Sequence, residues 1–394
     1  MRLLMVGPWS AVAMRRHIDW AVEGGIEVCL ADLRTPPAIM RPSGYRVVDL
    51  LPQRVKTNHQ IEARKSSQRA LATAALRLQH VAAEFQPHVI HSYMLKGQTD
   101  VCIRSGLQPL VVSAWGFLNR FLTSEATIED RRWLRRLRQS AHTLLVENPN
   151  LQRVLDGRPL APLQIECFPI GVDGSLFHPG YEEKVAAWRF ALNIPPDAIV
   201  LLSPRGWGRV YGQQHIMRAF ASAYQRLGRP MVLVLMGMGR MKRPERLGQE
   251  VHDLGVNLGI GHAIRWIPQV PYEDMPGVYA LADLVVNYPY SDAFPSTLLE
   301  AAACGRPVIT SDLPAYRNTF VERFCRLVEP ENPDALAGAL VEMAAGEPTA
   351  WVTNVQAARQ AVLDDYKESA QKERLLSLYQ QVAANRVWPS ARGI

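Results

Sequence analysis

A repeated alternation of short apolar runs and longer spacers constrains this chain most. Residues 3–6, 28–30, 47–51, 89–91, 110–113, 144–146 and 165–168 are apolar runs of strand length. The spacers between them are long enough for crossover connections, and one of them, residues 60–85, carries a helical period. Parallel strands need such crossovers, whereas short turns join antiparallel ones. The expectation is an α/β chain built on parallel sheets. The rhythm resumes at 199–202, 231–236 and 265–270, passes a buried strand at 284–287, and closes with a strand at 325–328. Beyond residue 332 the pattern is helical, with helices expected over 335–345 and 358–382. At 394 residues the chain exceeds one ordinary core, so two domains are expected.

In the second half one stretch stands out: Asp292-Ala293-Phe294-Pro295-Ser296-Thr297-Leu298-Leu299-Glu300, followed by Ala301 to Gly305 and the strand-like 307–310. It reads as loop, helix, tight stop and strand, with Ser296 as N-cap and Gly305 as C-terminal cap. Asp292 falls on the loop and Glu300 one turn inside the helix. Backbone N–H groups at a helix start lack intrahelical partners, and the dipole there is positive, so the place suits an anion. Carboxylates beside it can accept hydrogen bonds from hydroxyls. A nucleoside diphosphate sugar fits this combination, with diphosphate on the N–H groups and hydroxyls on the acids. Taken alone, Asp292 could equally cap the helix and Glu300 could be a solvated helix acid.

Composition narrows the remaining classes. Hydrophobic residues at 48% and charged residues at 21% describe a globular protein, and no apolar run reaches the length of a membrane span. The N-terminus begins on a strand-like run without the apolar core of a signal peptide, so a cytoplasmic protein is expected. Five scattered cysteines without metal-ligand spacing read as reduced thiols, and no metal site is expected. The net charge of +7 is uneven: the excess lies in residues 1–170, and the rest is close to neutral. The segment Arg131-Arg132-Trp133-Leu134-Arg135-Arg136-Leu137-Arg138 is a basic amphipathic helix. It is either a membrane-surface element at the inner face of the membrane or a helix whose apolar stripe packs on the sheet. No nucleic-acid module is present, and no nucleic-acid partner is expected.

The motifs resemble those of the retaining glycosyltransferases of family four, glycosyl transferases group 1, which have the GT-B fold. Asp292 and Glu300 resemble that family's Glu-x7-Glu pair, with Asp in the first place. Phe168-Pro169-Ile170-Gly171-Val172-Asp173 with Phe177-His178-Pro179 resembles the interdomain segment. Ser203-Pro204-Arg205-Gly206 resembles the Gly-Arg that clamps the donor diphosphate. Tyr211-Gly212 stands where Lys-Gly is usual, so the lysine is missing, and Arg209 is the candidate for its charge. Gly237-Met238-Gly239 resembles the Gly-x-Gly near the donor, and Trp266 and Ile267 lie on the strand whose backbone reads the nucleobase. His88-Val89-Ile90-His91 and Ala114-Trp115-Gly116 resemble two landmarks of the acceptor half, with Trp115 replacing the family's histidine. The Gly7-Pro8-Trp9-Ser10 turn replaces its Gly-Gly pair. His91 could instead be a hydrogen-bonded structural histidine.

The resemblance implies two Rossmann-like domains facing across a central cleft. An acceptor-binding domain would span 1–175 with a returning helix at about 371–394, and a donor-binding domain 176–370. It implies metal-independent transfer of a hexose from a nucleoside diphosphate sugar to the hydroxyl of a sugar or lipid-linked acceptor. Anomeric configuration would be retained, without a cofactor, in cell-surface polysaccharide or glycolipid synthesis. The reacting groups would be Asp292, Glu300 and Arg205. Donor contacts would come from Arg209, Gly171, Gly237, Trp266, Ile267 and the 294–298 segment: Phe294, Pro295, Ser296, Thr297 and Leu298. Trp9, Ser10, His91 and Trp115 would face the acceptor. A nucleotide-sugar epimerase, a disaccharide phosphorylase or an inactive nucleotide-sugar-binding homologue are the alternatives.

Overall fold

A computed structural model describes the chain except residues 10, 34–43, 52–59, 94–96, 115, 124, 159–161, 207, 238–245, 347 and 386–394; at 60–67, 117, 246 and 348–353 it describes the backbone only. The chain divides into two compact units: Met1–Pro169 with Ser369–Ile394, and Ile170–Glu368.

The first unit runs β1 (Arg2–Val6), α1 (Val12–Glu23), β2 (Glu27–Asp32), β3 (Arg46–Asp49), α2 (Gln60–Phe85), β4 (Val89–Tyr93), α3 (Gln98–Ser105), β5 (Leu110–Ala114), α4 (Ile128–Ser140), β6 (Thr143–Val146), α5 (Pro149–Asp156) and β7 (Gln164–Cys167). Its strands form one parallel sheet in the order β3-β2-β1-β4-β5-β6-β7. Strands β1, β4, β5 and β6 are buried almost throughout, because helices cover both faces of a parallel sheet. Helix α4 starts on a capping box, Thr127 with Asp130. Its Trp133, Leu134 and Leu137 are buried in the same core as Leu110, Val112 and Leu144. The apolar stripe of the basic helix is therefore spent on the sheet. Of the two readings of this stripe, burial on the sheet is the one observed; Arg131, Arg132, Arg135 and Arg136 remain exposed.

The second unit contains α6 (Glu182–Ala191), β8 (Ile199–Ser203), α7 (Gln213–Leu227), β9 (Met231–Met236), α8 (Arg246–Asn257), β10 (Ile264–Ile267), α9 (Met275–Leu281), β11 (Leu284–Asn287), α10 (Ser296–Ala303), β12 (Val308–Ser311), α11 (Phe320–Phe324), β13 (Arg326–Val328), α12 (Pro333–Ala345) and α13 (Pro348–Asp365). Its parallel sheet has the order β10-β9-β8-β11-β12-β13. Helix α7 buries Ile216, Met217, Phe220 and Ala223, spaced to make one apolar face, and packs beside α12. The single helix expected over 358–382 is two, α13 and α14 (Glu368–Ala384). They separate where Val172 bridges Lys367 and its N–H donates to the Tyr366 carbonyl at 2.9 Å. A backbone group claimed by another segment cannot also serve the helix ladder. Among the described residues, no helix is long and apolar enough to cross a membrane.

Candidate active site

Open parallel sheets bind ligands beyond the C-terminal ends of their strands, where the strand order reverses and two neighbouring loops part in opposite directions. In the second unit that reversal lies between β8 and β11. The loop leaving β8 carries Arg205, and the loop leaving β11 carries Asp292. They meet: Arg205 Nη1 lies 3.1 Å from Asp292 Oδ2, with the side chains 17% and 12% exposed. The Asp292 Oδ1 atom accepts the Ala293 N–H at 2.9 Å. Tyr211 lies against Arg205, its ring centroid 4.1 Å from the guanidinium carbon. Tyr316 is fully buried beside the pair. Its phenol is held well above the ordinary range by burial and then by the Asp292 carboxylate. Burial opposes the charge on Arg205, but Asp292 and Tyr211 outweigh it, and the guanidinium is held above its ordinary range. On Asp292 burial wins over Arg205 and the Ala293 N–H, and its carboxyl is raised. The guanidinium does not give up its proton in proteins, so the centre holds a fixed positive charge under a half-shielded acid.

Helix α10 starts beside this pair. Ser296 is its first residue and Pro295 its N-cap, which corrects the expectation of a Ser296 cap; no side chain caps this end. Pro295 has no N–H to offer, and Phe294 turns its ring into the core against Tyr366 and Phe320, 5.2 and 5.9 Å between centroids. Leu298 N–H donates to the Pro295 carbonyl at 3.2 Å. The N–H groups of Ser296 and Thr297 at this start suit an anion, and the Thr297 hydroxyl is buried there with no partner among the described residues. The helix ends where Gly305 adopts φ 67. Glu300 faces inward, 5% exposed, and accepts the Tyr279 hydroxyl at 2.7 Å.

The other sequence candidates divide. Arg209 is exposed and ion-paired with Glu250 at 3.0 Å, so it does not stand beside Arg205 as expected. Its place in a short 3-10 turn, Arg209–Tyr211, carries it outward while Tyr211 turns in. Gly212 follows at φ 66, and a Cβ there would strike the backbone carbonyl of Tyr288, so only glycine closes this turn. Gly237 donates its N–H to the Ile267 carbonyl at 2.9 Å, joining two of the expected donor contacts. Trp266 is half-buried beside His252, 6.1 Å between ring centroids. Gly171, at φ 77, precedes the bridge at Val172. Met238 and Gly239 lie outside the described residues.

In the first unit the strand order reverses between β1 and β4. Trp9 follows β1, and its backbone N–H donates to Asp32 Oδ2 at 3.0 Å. Ser10 and Trp115 lie outside the described residues. His91 is not ligand-facing. It is fully buried, with Nδ1 2.6 Å from Tyr379 Oη and Nε2 2.9 Å from Ser113 Oγ. Burial pushes its pKa down to about 3. With both ring nitrogens engaged inside the core it is a structural histidine, because α14 covers the β4 face on which it lies.

Sequence reasoning missed Tyr279, Tyr316 and the inward role of Tyr211. Only Tyr211 left a signal, as the residue in the usual lysine's place; Tyr316 is far along the chain from both charges it adjoins.

Residues 184–358, within the second unit, match the family model of Glycosyl transferases group 1. D-inositol 3-phosphate glycosyltransferase of Corynebacterium jeikeium is 29% identical over 170 residues, 43% of this chain and 41% of that protein. The chain spans about two fifths of the length of the first curated relatives it matches. Sucrose-phosphate synthase from Thermosynechococcus elongatus superposes with a TM-score of 0.76 at 20% identity, covering 98% of this chain and 100% of that one. Anabaena HepE in complex with UDP-glucose gives 0.74 at 16%, covering 97% and 100%. The fold is that of the GT-B glycosyltransferases.

Proposed function

We propose that the protein is a retaining glycosyltransferase that moves a hexose from a nucleoside diphosphate sugar to the hydroxyl of a sugar or lipid-linked acceptor. The observation that carries this reading is the Arg205–Asp292 pair at the strand-order reversal of the second unit, beside an uncapped helix start. A guanidinium has five N–H donors in a rigid fork, so Arg205 can keep Asp292 and still take phosphate oxygens. The Ser296 and Thr297 N–H groups and the dipole of α10 add positive potential on the same spot. Together they would stabilise the diphosphate as negative charge develops on it during departure of the sugar, and would do so without a bound cation. Asp292 would accept hexose hydroxyls and orient the anomeric carbon. Glu300 would hold the ribose with its remaining acceptor capacity beyond Tyr279. The acceptor hydroxyl would lose its proton to the departing phosphate, so no protein base is needed.

HepE, which shares the fold, is known in complex with UDP-glucose, and the curated relatives are glycosyltransferases by name. A second reading, binding without turnover, draws on Arg209 being held by Glu250, which leaves Arg205 as the diphosphate's one candidate cation among the described residues. The two separate in one assay: release of nucleoside diphosphate from a panel of nucleotide hexoses, with sugar and lipid-linked acceptors, with and without excess EDTA. Acceptor-dependent release that survives EDTA is expected, reduced about a hundredfold or more in Arg205→Ala. Full activity in both Arg205→Ala and Glu300→Ala would remove the site assignment. Binding without product under every acceptor would favour the second reading.

A further inference from the structure

The second unit has a cavity of about 660 Å³ at the opposite edge of its sheet from Arg205 and Asp292. Ile199, Leu284 and Pro307, at the starts of β8, β11 and β12, line its floor, so it lies at the N-terminal edge of parallel strands. Four arginines line it, Arg189, Arg229, Arg306 and Arg359, against two acids, Asp197 and Asp283. One acid is spoken for: Asp283 accepts the Val200 N–H at 2.8 Å and has Arg189 at 3.9 Å. Arg306 donates from Nη1 to the Ala282 carbonyl at 3.0 Å, while its Nε is buried with no partner among the described residues. Arg359 donates from Nε to the Ala303 carbonyl at 3.0 Å. Burial depresses the Arg306 guanidinium below its ordinary range, outweighing the opposing charge of Asp283. Apart from Gln356 the rest of the wall is apolar, including Met343, Ala344 and Val355.

We propose that this cavity is a second ligand site, for a small organophosphate: a phosphomonoester on an apolar body. The charge decides the class. Among the described residues that line the cavity, four guanidinium groups and two carboxylates leave a surplus of two positive charges, with Glu182 beyond the lining acting on Arg306, and a phosphomonoester carries about two negative charges near neutral pH. A monocarboxylate would leave one cation uncompensated, and a neutral apolar molecule would leave both. Guanidinium forks match phosphate geometry, and the apolar wall takes the remainder of the molecule. Occupancy would reach the candidate active site through one short helix. Arg359 holds the last helical carbonyl of α10, and Arg306 N–H bonds the Ala301 carbonyl at 2.9 Å. The opposite end of that helix is the start beside Asp292. This site does not depend on the glycosyltransferase reading.

Calorimetry of the full chain with phenyl phosphate tests it, with phenol, benzoate and inorganic phosphate as comparisons. Phenyl phosphate should bind more tightly than any of the three. Its affinity should fall about tenfold in Arg306→Gln and in Arg229→Glu, the size of one lost charged hydrogen bond or ion contact. It should be unchanged in Arg205→Ala, which alters only the other edge of the sheet. Arg229 is exposed, so Arg229→Glu decides the matter if Arg306→Gln fails to fold. No binding by wild type, unchanged affinity in Arg229→Glu, or loss of binding in Arg205→Ala would each overturn the proposal.

Discussion

Two residues carry most of what was unexpected. Tyr211 stands where a lysine is usual, and it turns its ring under Arg205 instead of supplying a second charge. Stacking on a guanidinium away from water contributes about 1–2 kcal/mol. Tyr211→Ala should therefore weaken nucleotide-sugar binding roughly tenfold by calorimetry, with the melting point little changed; equal affinity would mean that the ring does not position Arg205. His91 makes a stability prediction. Its folded pKa of about 3 lies below the ordinary value of 6.5. Between those values the unfolded chain binds a proton that the folded chain does not. Its stabilising contribution is thus complete above pH 6.5 and is lost as pH falls towards 3, at about 1.4 kcal/mol per pH unit per proton. His17, also depressed by burial, adds in the same direction. Urea midpoints should fall through this window, and fall less steeply in His91→Leu, which would itself be less stable by about 2 kcal/mol for stranding the Tyr379 and Ser113 hydroxyls. Parallel pH profiles for the two proteins would contradict this assignment.

At the scale of elements, α10 is the informative one. It is buried along nearly its whole length, yet no side chain caps its start. Its stability comes from packing, and the uncapped N–H groups are the ones the proposed donor site would use. Pro295 has the extended backbone, φ −75 and ψ 134, that an N-cap needs. Pro295→Asp should therefore install a cap worth about 1 kcal/mol and, by placing an anion where the diphosphate would sit, weaken nucleotide-sugar binding. A melting point that rises while affinity falls is the expected pair of results. A rise in both would place the donor phosphates elsewhere. Helix α4 teaches the converse: a basic amphipathic pattern resembled a membrane element, and packing on the sheet consumed it.

For the whole molecule, the division into two units has a measurable consequence. Leu375, Leu378, Tyr379 and Val382 of α14 are buried, and Tyr379 is bonded to His91 of the first unit. A chain ending at Glu368 loses these contacts from Met1–Pro169 alone. Calorimetric melting should show the transition of the first unit lowered or lost, and that of Ile170–Glu368 nearly unchanged. One unaltered transition would show that the segment adds nothing to the first unit. Much of this architecture was legible in advance. Every strand expected in the first unit forms within a residue or two of its apolar run, because buried parallel strands are continuous hydrophobic segments. The acids at 292 and 300 were legible as a spacing, but their partners were not. Arg205 with Asp292, Tyr316 beside both, and Tyr279 on Glu300 join residues that only the strand order brings together.

By itself the sequence determined the parallel α/β class, the strand and helix segments, and a loop-to-helix stretch bearing two acids. Local periodicity and turn chemistry are read from neighbours along the chain, so these needed nothing more. Only the tertiary structure decided that Arg209 faces outward and Tyr211 inward, that His91 is core, and that Arg205 and Asp292 are one ion pair. It also decided that four arginines from separate segments line one cavity. Each of these depends on which strands become neighbours and on what burial does to a charge, and neither is written in the order of residues.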